Sequence, residues 1–146
     1  MIRLNAAHVH SAGVLSGCRV LVVDDEPDAI TFISTVLQDN GAEILLATNG
    51  EDALDLARRE RPDLITLDLS MPGKSGIAVF RELRSDQDLM DIPVCIITGS
   101  PEMRELVYQN QARRPEGYIE KPLEEQSLLR NVRKILRVGH QRRDDA

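Results

Sequence analysis

Between residues 18 and 137, short aliphatic runs alternate with longer amphipathic stretches, and this alternation occurs five times. Each run holds four to seven residues and is rich in Val, Ile and Leu. Runs of this length without polar alternation are typical of strands that are buried on both faces of a parallel sheet. The pattern therefore predicts five strands, at residues 18–23, 42–47, 63–67, 92–98 and 117–120.

The stretches between the runs carry apolar residues at helical spacing, as in Ile30, Ile33, Val36 and Leu37. Residues 101–112 have the weakest apolar face of these stretches. Strands that alternate with helices predict parallel pairing through right-handed crossovers. We therefore expect an α/β fold, in which a doubly wound, five-stranded parallel sheet carries five helices on its two faces.

The same periodicity predicts how the chain is organised. Residues 1–17 show no sustained period and are expected to form a flexible extension. The single domain is expected at residues 18–137, and residues 138–146 are expected to form a frayed tail. A chain of 146 residues has the length of one ordinary domain.

Composition and charge restrict the possible partners and location. The formal net charge of −6 argues against general binding of nucleic acid or of an anionic membrane. No apolar stretch approaches the ~20 residues of a membrane span, and the N-terminus does not resemble a signal peptide. Cys18 and Cys95 lie in apolar runs and are expected to be buried thiols in a reducing compartment. We therefore expect a cytoplasmic protein that binds neither membranes nor nucleic acid directly.

Polar side chains end four of the five aliphatic runs. Asp24 and Asp25 follow the first run, Asp68 the third, Thr98 ends the fourth and Lys121 follows the fifth. In an open parallel sheet, ligands bind beyond the carboxyl ends of the strands. The fold would therefore gather these residues at one edge.

Several carboxylates in one crevice repel each other, and a divalent cation removes that cost. An all-oxygen set with few protein ligands suits Mg²⁺, which keeps several waters and often completes its shell with phosphate oxygens. Lys121 adds a positive charge that can hold a phosphoryl oxygen, and a carboxylate can itself accept a phosphoryl group. The cluster therefore indicates phosphoryl chemistry that is supported by a metal ion.

Each residue also has a purely structural explanation. Asp24 and Asp25 are suited to the N-terminus of a helix that begins at Pro27, and Asp68 could open the turn that follows it. Thr98 could belong to a turn, and Lys121 could be a surface lysine. Their joint occurrence at successive strand ends favours a site.

Four segments resemble the signature of response-regulator receiver domains, and the resemblance extends over about residues 18–137. They are V-L-V-V-D-D-E-P at 20–27, L-D-L-S-M-P-G-K-S-G at 67–76, I-I-T-G at 96–99 and Y-I-E-K-P at 118–122. The resemblance implies a flavodoxin-like sheet with strand order 2-1-3-4-5. It also implies a two-component signalling domain rather than an enzyme acting on a separate substrate.

The resemblance implies a role for each matching residue. Asp68 would be the phosphoacceptor. Asp24, Asp25, Asp68 and the backbone carbonyl of Ser70 would bind Mg²⁺. The remaining roles are the phosphoryl-binding lysine at Lys121, the switch residues Thr98 and Tyr118, a cis peptide before Pro122, and positions that tune dephosphorylation at Ser70 and Ser100.

The implied partners are a sensor histidine kinase or a phosphotransfer protein, which donates the phosphoryl group from phosphohistidine. A downstream protein would bind the face formed by the fourth helix, the fifth strand and the fifth helix. The domain would be a monomer or a phosphorylation-dependent dimer. Two alternatives stay open: a docking module that works without phosphorylation, and a receiver fragment of a larger regulator or hybrid kinase.

Two other classes fit the residues less well. A haloacid-dehalogenase-type enzyme needs a second Asp two residues after the first, where this chain has Ser70. A flavin module needs a phosphate-binding loop after the first strand, where this chain has acids.

The chain departs from the family pattern in two places. Residues 111–117 replace the small-residue turn that usually precedes the fifth strand. This leaves the shape of the fourth helix and its loop open. Ser70 and Ser100 stand where family members often carry amides or acids.

Overall fold

The computed structural model describes residues 13–109 and 113–145. Its five strands are β1 (Arg19–Val23), β2 (Glu43–Ala47), β3 (Leu64–Leu67), β4 (Val94–Thr98) and β5 (Gly117–Glu120). Its five helices are α1 (Pro27–Asp39), α2 (Gly50–Glu60), α3 (Gly76–Ser85), α4 (Met103–Tyr108) and α5 (Glu125–Asp145). The predicted alternation of strands and helices is confirmed, and each strand begins within two residues of its predicted start.

All neighbouring strands pair in parallel, in the order β2-β1-β3-β4-β5. The predicted doubly wound topology is therefore confirmed. The strands β1, β3 and β4 are buried almost throughout, which explains why their sequences are apolar without alternation.

Two apolar clusters cover the two faces of the sheet. On one face, α1 and α5 pack through residues such as Ile33, Leu37 and Val132. On the other face, α2, α3 and α4 pack around the fully buried Phe80. Both cysteines are buried in the first of these clusters. Within the described residues, no helix is long and apolar enough to cross a membrane.

The expected boundaries of the domain need correction. Residues 13–17 do not form a loose extension, because Leu15 is buried beneath α1 and α5 and its backbone N–H donates to the carbonyl of Asn40 at 2.8 Å. At the other end, α5 continues to Asp145, beyond the end expected near residue 137. Residues 1–12 and 146 lie outside the described residues.

The loop before β5, which departs from the family pattern, is held by the side chain of Arg84. This guanidinium is only 5% exposed, forms an ion pair with Glu116 at 2.7 Å, and lies over the ring of Phe80. It also donates to the carbonyls of Arg114 (2.9 Å) and Ile92 (3.1 Å). Burial lowers the pKa of Arg84, and the bond to Glu116 opposes this effect.

Glu116 binds two further groups. Its carboxylate accepts from the N–H of Val94 at 2.7 Å and pairs with Arg113 at 3.1 Å. Arg113 in turn pairs with Asp91 at 2.9 Å. This set of Arg84, Glu116, Arg113 and Asp91, here named the Arg84 cluster, connects α3, the entry to β4 and the loop before β5. Gln111 and Ala112, which also belong to the departing segment, lie outside the described residues.

We expect Arg84→Met to lower the free energy of unfolding by about 3 kcal/mol, because Glu116 would lose the shorter of its two ion pairs in a largely buried position and would be left with Arg113. Combining Arg84→Met with Glu116→Gln should cost less than the sum of the two single changes, since neither partner would then keep an uncompensated charge. Urea unfolding of the four proteins of this cycle measures the effect.

The matched control is Arg58→Met. Its side chain is 50% exposed and its nearest carboxylate oxygen lies 3.7 Å away, so we expect a change of only about 0.5 kcal/mol. Additive effects at Arg84 and Glu116, or a cost at Arg84 no larger than at Arg58, would contradict this account of the loop.

Candidate functional site

The backbone ladder of the sheet brings the polar residues at the strand ends together. The N–H of Asp24 bonds to the carbonyl of Ala47 (3.2 Å), and the N–H of Asp68 bonds to that of Val23 (3.0 Å). The N–H of Lys121 bonds to the carbonyl of Thr98 at 2.9 Å. These residues therefore lie at one edge, as their places after the aliphatic runs predict.

Three carboxylates converge at this edge. Oxygen atoms of Asp24, Asp25 and Asp68 all lie within 4.8 Å of one another. Asp24 is 1% exposed and Asp68 is 3% exposed, so two of the three charges have little contact with water. A cluster of this kind favours a bound cation.

The loop that carries Asp68 is shaped by backbone contacts. One carboxylate oxygen of Asp68 accepts from the N–H of Ser70 at 3.2 Å, and the N–H of Gly76 bonds to the carbonyl of Leu69 at 3.1 Å. A Cβ atom on Gly76 would lie 2.0 Å from the carbonyl oxygen of Asp68. A glycine at the start of α3 therefore allows the helix to approach the loop that carries Asp68.

Lys121 is the cation of the site, but it does not bond to Asp68. Its ammonium nitrogen forms a short hydrogen bond to Glu26 and lies 3.0 Å from Oδ2 of Asp24, whereas Oδ2 of Asp68 lies 3.9 Å away. Burial lowers the pKa of Lys121, but the hydrogen bond to Glu26 and the close contact with the Asp24 carboxylate outweigh this effect, and the net shift is upward. Lys121 is therefore charged and held on the α1 side of the site.

The contact between Lys121 and Glu26, the residue before α1, was not predicted from the sequence. The side chain of Glu26 is 61% exposed and its backbone N–H donates to Oδ1 of Asp24 at 2.9 Å. The only available signal was its place directly after the two aspartates.

Burial and the nearby charge of Asp24 raise the pKa of Asp68 to about 6, although the N–H of Ser70 and the charge of Lys121 oppose the shift. Among the described residues, Asp24 and Asp25 each have a buried carboxylate oxygen that accepts no aligned hydrogen bond. For Oδ2 of Asp24 this holds although Lys121 lies within ion-pair distance. These unsatisfied oxygens fit a hard cation such as Mg²⁺, which prefers oxygen ligands.

The serines lie side by side at the mouth of the site. The hydroxyls of Ser70 and Ser100 are 3.2 Å apart, and that of Ser70 lies 3.3 Å from the sulfur of Met103. Met103 was not expected near Asp68. Thr98 is fully buried, and its hydroxyl accepts from the N–H of Ser100 at 3.3 Å.

The two remaining residues expected in the site are Tyr118, which lies on β5, and Pro122, which lies two residues after the end of that strand. The Lys121–Pro122 peptide bond is cis, the isomer that the resemblance implies. Tyr118 is half-buried, away from the carboxylates, and packs against Tyr108 and Arg104. The site therefore unites every expected residue except Tyr118, which belongs to the neighbouring face.

A family model described as the response regulator receiver domain matches residues 20–133. The chain belongs to this family. Receiver domains are signalling domains of two-component response regulators, and they generally bind Mg²⁺ at an acidic cluster.

Two relatives differ in how much of their length the domain covers. Protein PilH from Pseudomonas aeruginosa is 35% identical over 119 residues, which cover 81% of this chain and 97% of PilH. Response regulator MprA from Mycolicibacterium vanbaalenii is 37% identical over 119 residues, which cover 82% of this chain but only 50% of MprA. The receiver domain thus matches nearly all of one relative and about half of the other.

Solved structures agree with this assignment. The chemotaxis response regulator CheY4 of Vibrio cholerae superposes with a TM-score of 0.73 and 28% identity, over 81% of this chain and 98% of CheY4. A sensor protein from Polaromonas sp. JS666 gives a TM-score of 0.77 at 23% identity, over 84% and 98% of the two chains, and supports the fold alone.

The charge cluster makes a prediction for the metal-free receiver domain. Because the pKa of Asp68 is raised above its ordinary value of 3.8, the folded state binds more protons than the unfolded state between about pH 4 and pH 6. Stability therefore falls as the pH rises through this window. We expect Asp68→Asn to stabilise the metal-free protein by about 1–3 kcal/mol at pH 7.5, and by little below about pH 4.

Urea unfolding in EDTA at both pH values measures this difference. Asp55→Asn is the control, because that carboxylate is 72% exposed and should change stability by less than about 0.5 kcal/mol. Saturating Mg²⁺ should stabilise the wild type more than Asp68→Asn, since binding to the folded state raises its stability. A metal-free Asp68→Asn protein that is less stable than the wild type at pH 7.5 would contradict the repulsion argument.

Proposed function

We propose that Asp68 accepts a phosphoryl group from the phosphohistidine of a histidine kinase or phosphotransfer protein, and that this modification switches the domain between two conformations. The observation that carries the proposal is the position of Asp68, a buried carboxylate between two acids that can hold a metal and a lysine that can hold a phosphoryl oxygen. A general binding module would have no need for three like charges at such close range.

In the proposed step, a carboxylate oxygen of Asp68 attacks the phosphorus atom. A P–O bond forms as the P–N bond to the donor histidine breaks, and the histidine leaves with the bonding electron pair and becomes protonated. Such a transfer needs in-line placement and neutralised oxygen charge more than covalent help from the protein. Mg²⁺, held by Asp24, Asp25, Asp68 and the carbonyl of Ser70, would supply part of that neutralisation.

Lys121 would supply the rest of the neutralisation. In the unmodified protein its ammonium group is bonded to Glu26 and lies closer to Asp24 than to Asp68. A phosphoryl group on Asp68 brings new negative oxygens within reach, so Lys121 would leave Glu26 and bond to them. Thr98 would turn its hydroxyl toward the same group, and Tyr118 would move into the space that Thr98 vacates.

We further propose that the output is read at the face formed by α4, β5 and α5, where a downstream protein or a second receiver domain would bind. The α4 helix has six residues and only Val107 of it is buried, so little packing resists its displacement. Docking without phosphorylation is the competing function, but such a module has no requirement for Asp68, Asp24 and Asp25 together.

We expect incubation with acetyl phosphate and Mg²⁺ to add one phosphoryl group to the wild type and none to Asp68→Asn, because an amide is a far poorer nucleophile than a carboxylate. Intact-protein mass spectrometry measures the adduct, which should be lost with hydroxylamine as an acyl phosphate is. Asp55→Asn, which changes an exposed aspartate of α2, should label like the wild type.

EDTA should suppress labelling of the wild type. Labelling of Asp68→Asn at wild-type stoichiometry would overturn the assignment of the acceptor. A wild type that takes up nothing, from acetyl phosphate or from any phosphohistidine donor, would favour the docking module.

The paired serines predict the lifetime of the modified state. Hydrolysis requires a water placed in line with the acyl phosphate, and Ser70 and Ser100 border that approach with hydroxyls too short to orient it well. We expect slow to intermediate loss of phosphate, accelerated about tenfold by Ser70→Asn or Ser100→Glu, which corresponds to one added contact of ~1.4 kcal/mol in the transition state.

Phosphate release from purified phosphoprotein gives the rates. Ser85→Asn, on an exposed turn of α3, should leave the rate unchanged. If neither substitution at the site changes the rate by more than about twofold, water positioning by these two residues is not the controlling step.

A further inference from the structure

Two arginines and two tyrosines alternate on the face formed by α4, β5 and the loop between them. The guanidinium carbon of Arg104 lies 4.8 Å from the ring centre of Tyr118 and 5.6 Å from that of Tyr108. Arg114 covers Tyr108 at 5.1 Å, and the two ring centres are 6.5 Å apart. Each cation lies within the range in which the face of an aromatic ring attracts it. We name this set of four side chains the cation–aromatic stack.

The ring of Tyr118 packs against the edge of the apolar cluster around Phe80, but its polar end is not restrained in the same way. Its hydroxyl is buried but has no hydrogen-bond partner within the described residues, so no polar bond holds the tip of the side chain. A buried hydroxyl without a partner is unfavourable, and a different ring position could relieve this. The stack is therefore the main polar interaction that holds Tyr118 where it is.

The base of the stack is fixed by the Arg84 cluster. Arg84 donates to the backbone carbonyls of Arg113 and Arg114, at 3.4 and 2.9 Å, from a position that is largely buried. Because the backbone of Arg114 is held, its guanidinium stays over Tyr108. Tyr108 and Arg104 both lie on α4, four residues apart, and so share one face of that helix.

From this geometry we propose that Arg104 is a positioning residue, which holds Tyr118 in its resting place and thereby sets how readily phosphorylation recruits the ring. This inference rests on the proposed function, in which Tyr118 moves when Asp68 is modified. Any interaction that is present in only one of two states shifts the balance between them. Arg104 makes its contact with Tyr118 in the resting state, so removing it should favour the switched state.

The expected size of the effect follows from the exposure of Arg104. Exposed cation–π contacts contribute little, and their loss corresponds to a change in equilibrium of about two- to fivefold. We therefore expect Arg104→Met to lower the concentration of beryllofluoride that half-converts the domain by about that factor, in the presence of saturating Mg²⁺. Methionine keeps most of the length of arginine and removes the charge.

The composition of the chain provides a direct probe of the ring. The protein has no Trp and only two Tyr, and both belong to the stack. In a Tyr108→Phe background, which keeps a ring in the stack, Tyr118 is the only phenol, and its fluorescence reports its surroundings during the titration. The midpoint is compared rather than the amplitude, because amplitude also depends on direct quenching by the guanidinium.

Two further proteins separate positioning from general stability. Arg104→Lys keeps a cation and should return the midpoint toward that of the wild type. Arg130→Met removes an exposed arginine from α5 and should not change it. Thermal melts should show Arg104→Met only slightly less stable than Arg130→Met, because the lost contact corresponds to no more than the two- to fivefold change given above.

The outcomes distinguish this inference from the function on which it rests. If the proteins with and without Arg104→Met both respond clearly to beryllofluoride and have the same midpoint, Arg104 does not position Tyr118. The switch itself would be unaffected by that result. If the fluorescence of Tyr118 does not respond to beryllofluoride in the Tyr108→Phe protein that keeps Arg104, both the switch and the inference are overturned. A lowered midpoint that is restored by lysine and absent in Arg130→Met would support both.

Discussion

The rest of the domain is organised around three negative charges that the sheet brings together at one edge. Parallel pairing of β1 with β3 places Asp24 and Asp68 side by side, and both are withdrawn from water. Their mutual repulsion is reduced by Lys121, which reaches them from beyond β5. A site built in this way favours a bound cation, because its own negative charges are incompletely balanced. The proposed chemistry depends on this imbalance.

Lys121 links this edge to the face that is proposed for output. Its side chain contacts α1 through Glu26, while its backbone continues β5, the strand that carries Tyr118. A charge added at Asp68 would thus act on a residue three positions from the aromatic ring. The cation–aromatic stack lies directly on that strand, so the two ends of the proposed switch are joined by a few residues of one segment.

Much of this arrangement could be predicted from the sequence because it depends on periodicity and on strand ends. The apolar runs define the strands, and the carboxyl ends of parallel strands meet, so Asp24, Asp68, Thr98 and Lys121 had to lie together. The burial of Leu15 could not be predicted in this way, since a five-residue turn is too short to show a period. Nor could the bond between Glu26 and Lys121, because long, flexible side chains choose partners only after the backbone has brought them within reach.

The Arg84 cluster has a consequence for how this sequence can diverge. A loop made of small residues can change one position at a time, since no side chain in it is needed elsewhere. Here the loop before β5 shares its charges with α3 and with the entry to β4, and Arg84 and Glu116 have little access to water. Replacing only Arg84 or only Glu116 would leave the other with a largely buried charge and without their shared ion pair, whereas replacing both would not. Among homologues that keep this loop, positions 84 and 116 are therefore expected to change together. Covariation of these two positions would identify the homologues that inherited the Arg84 cluster.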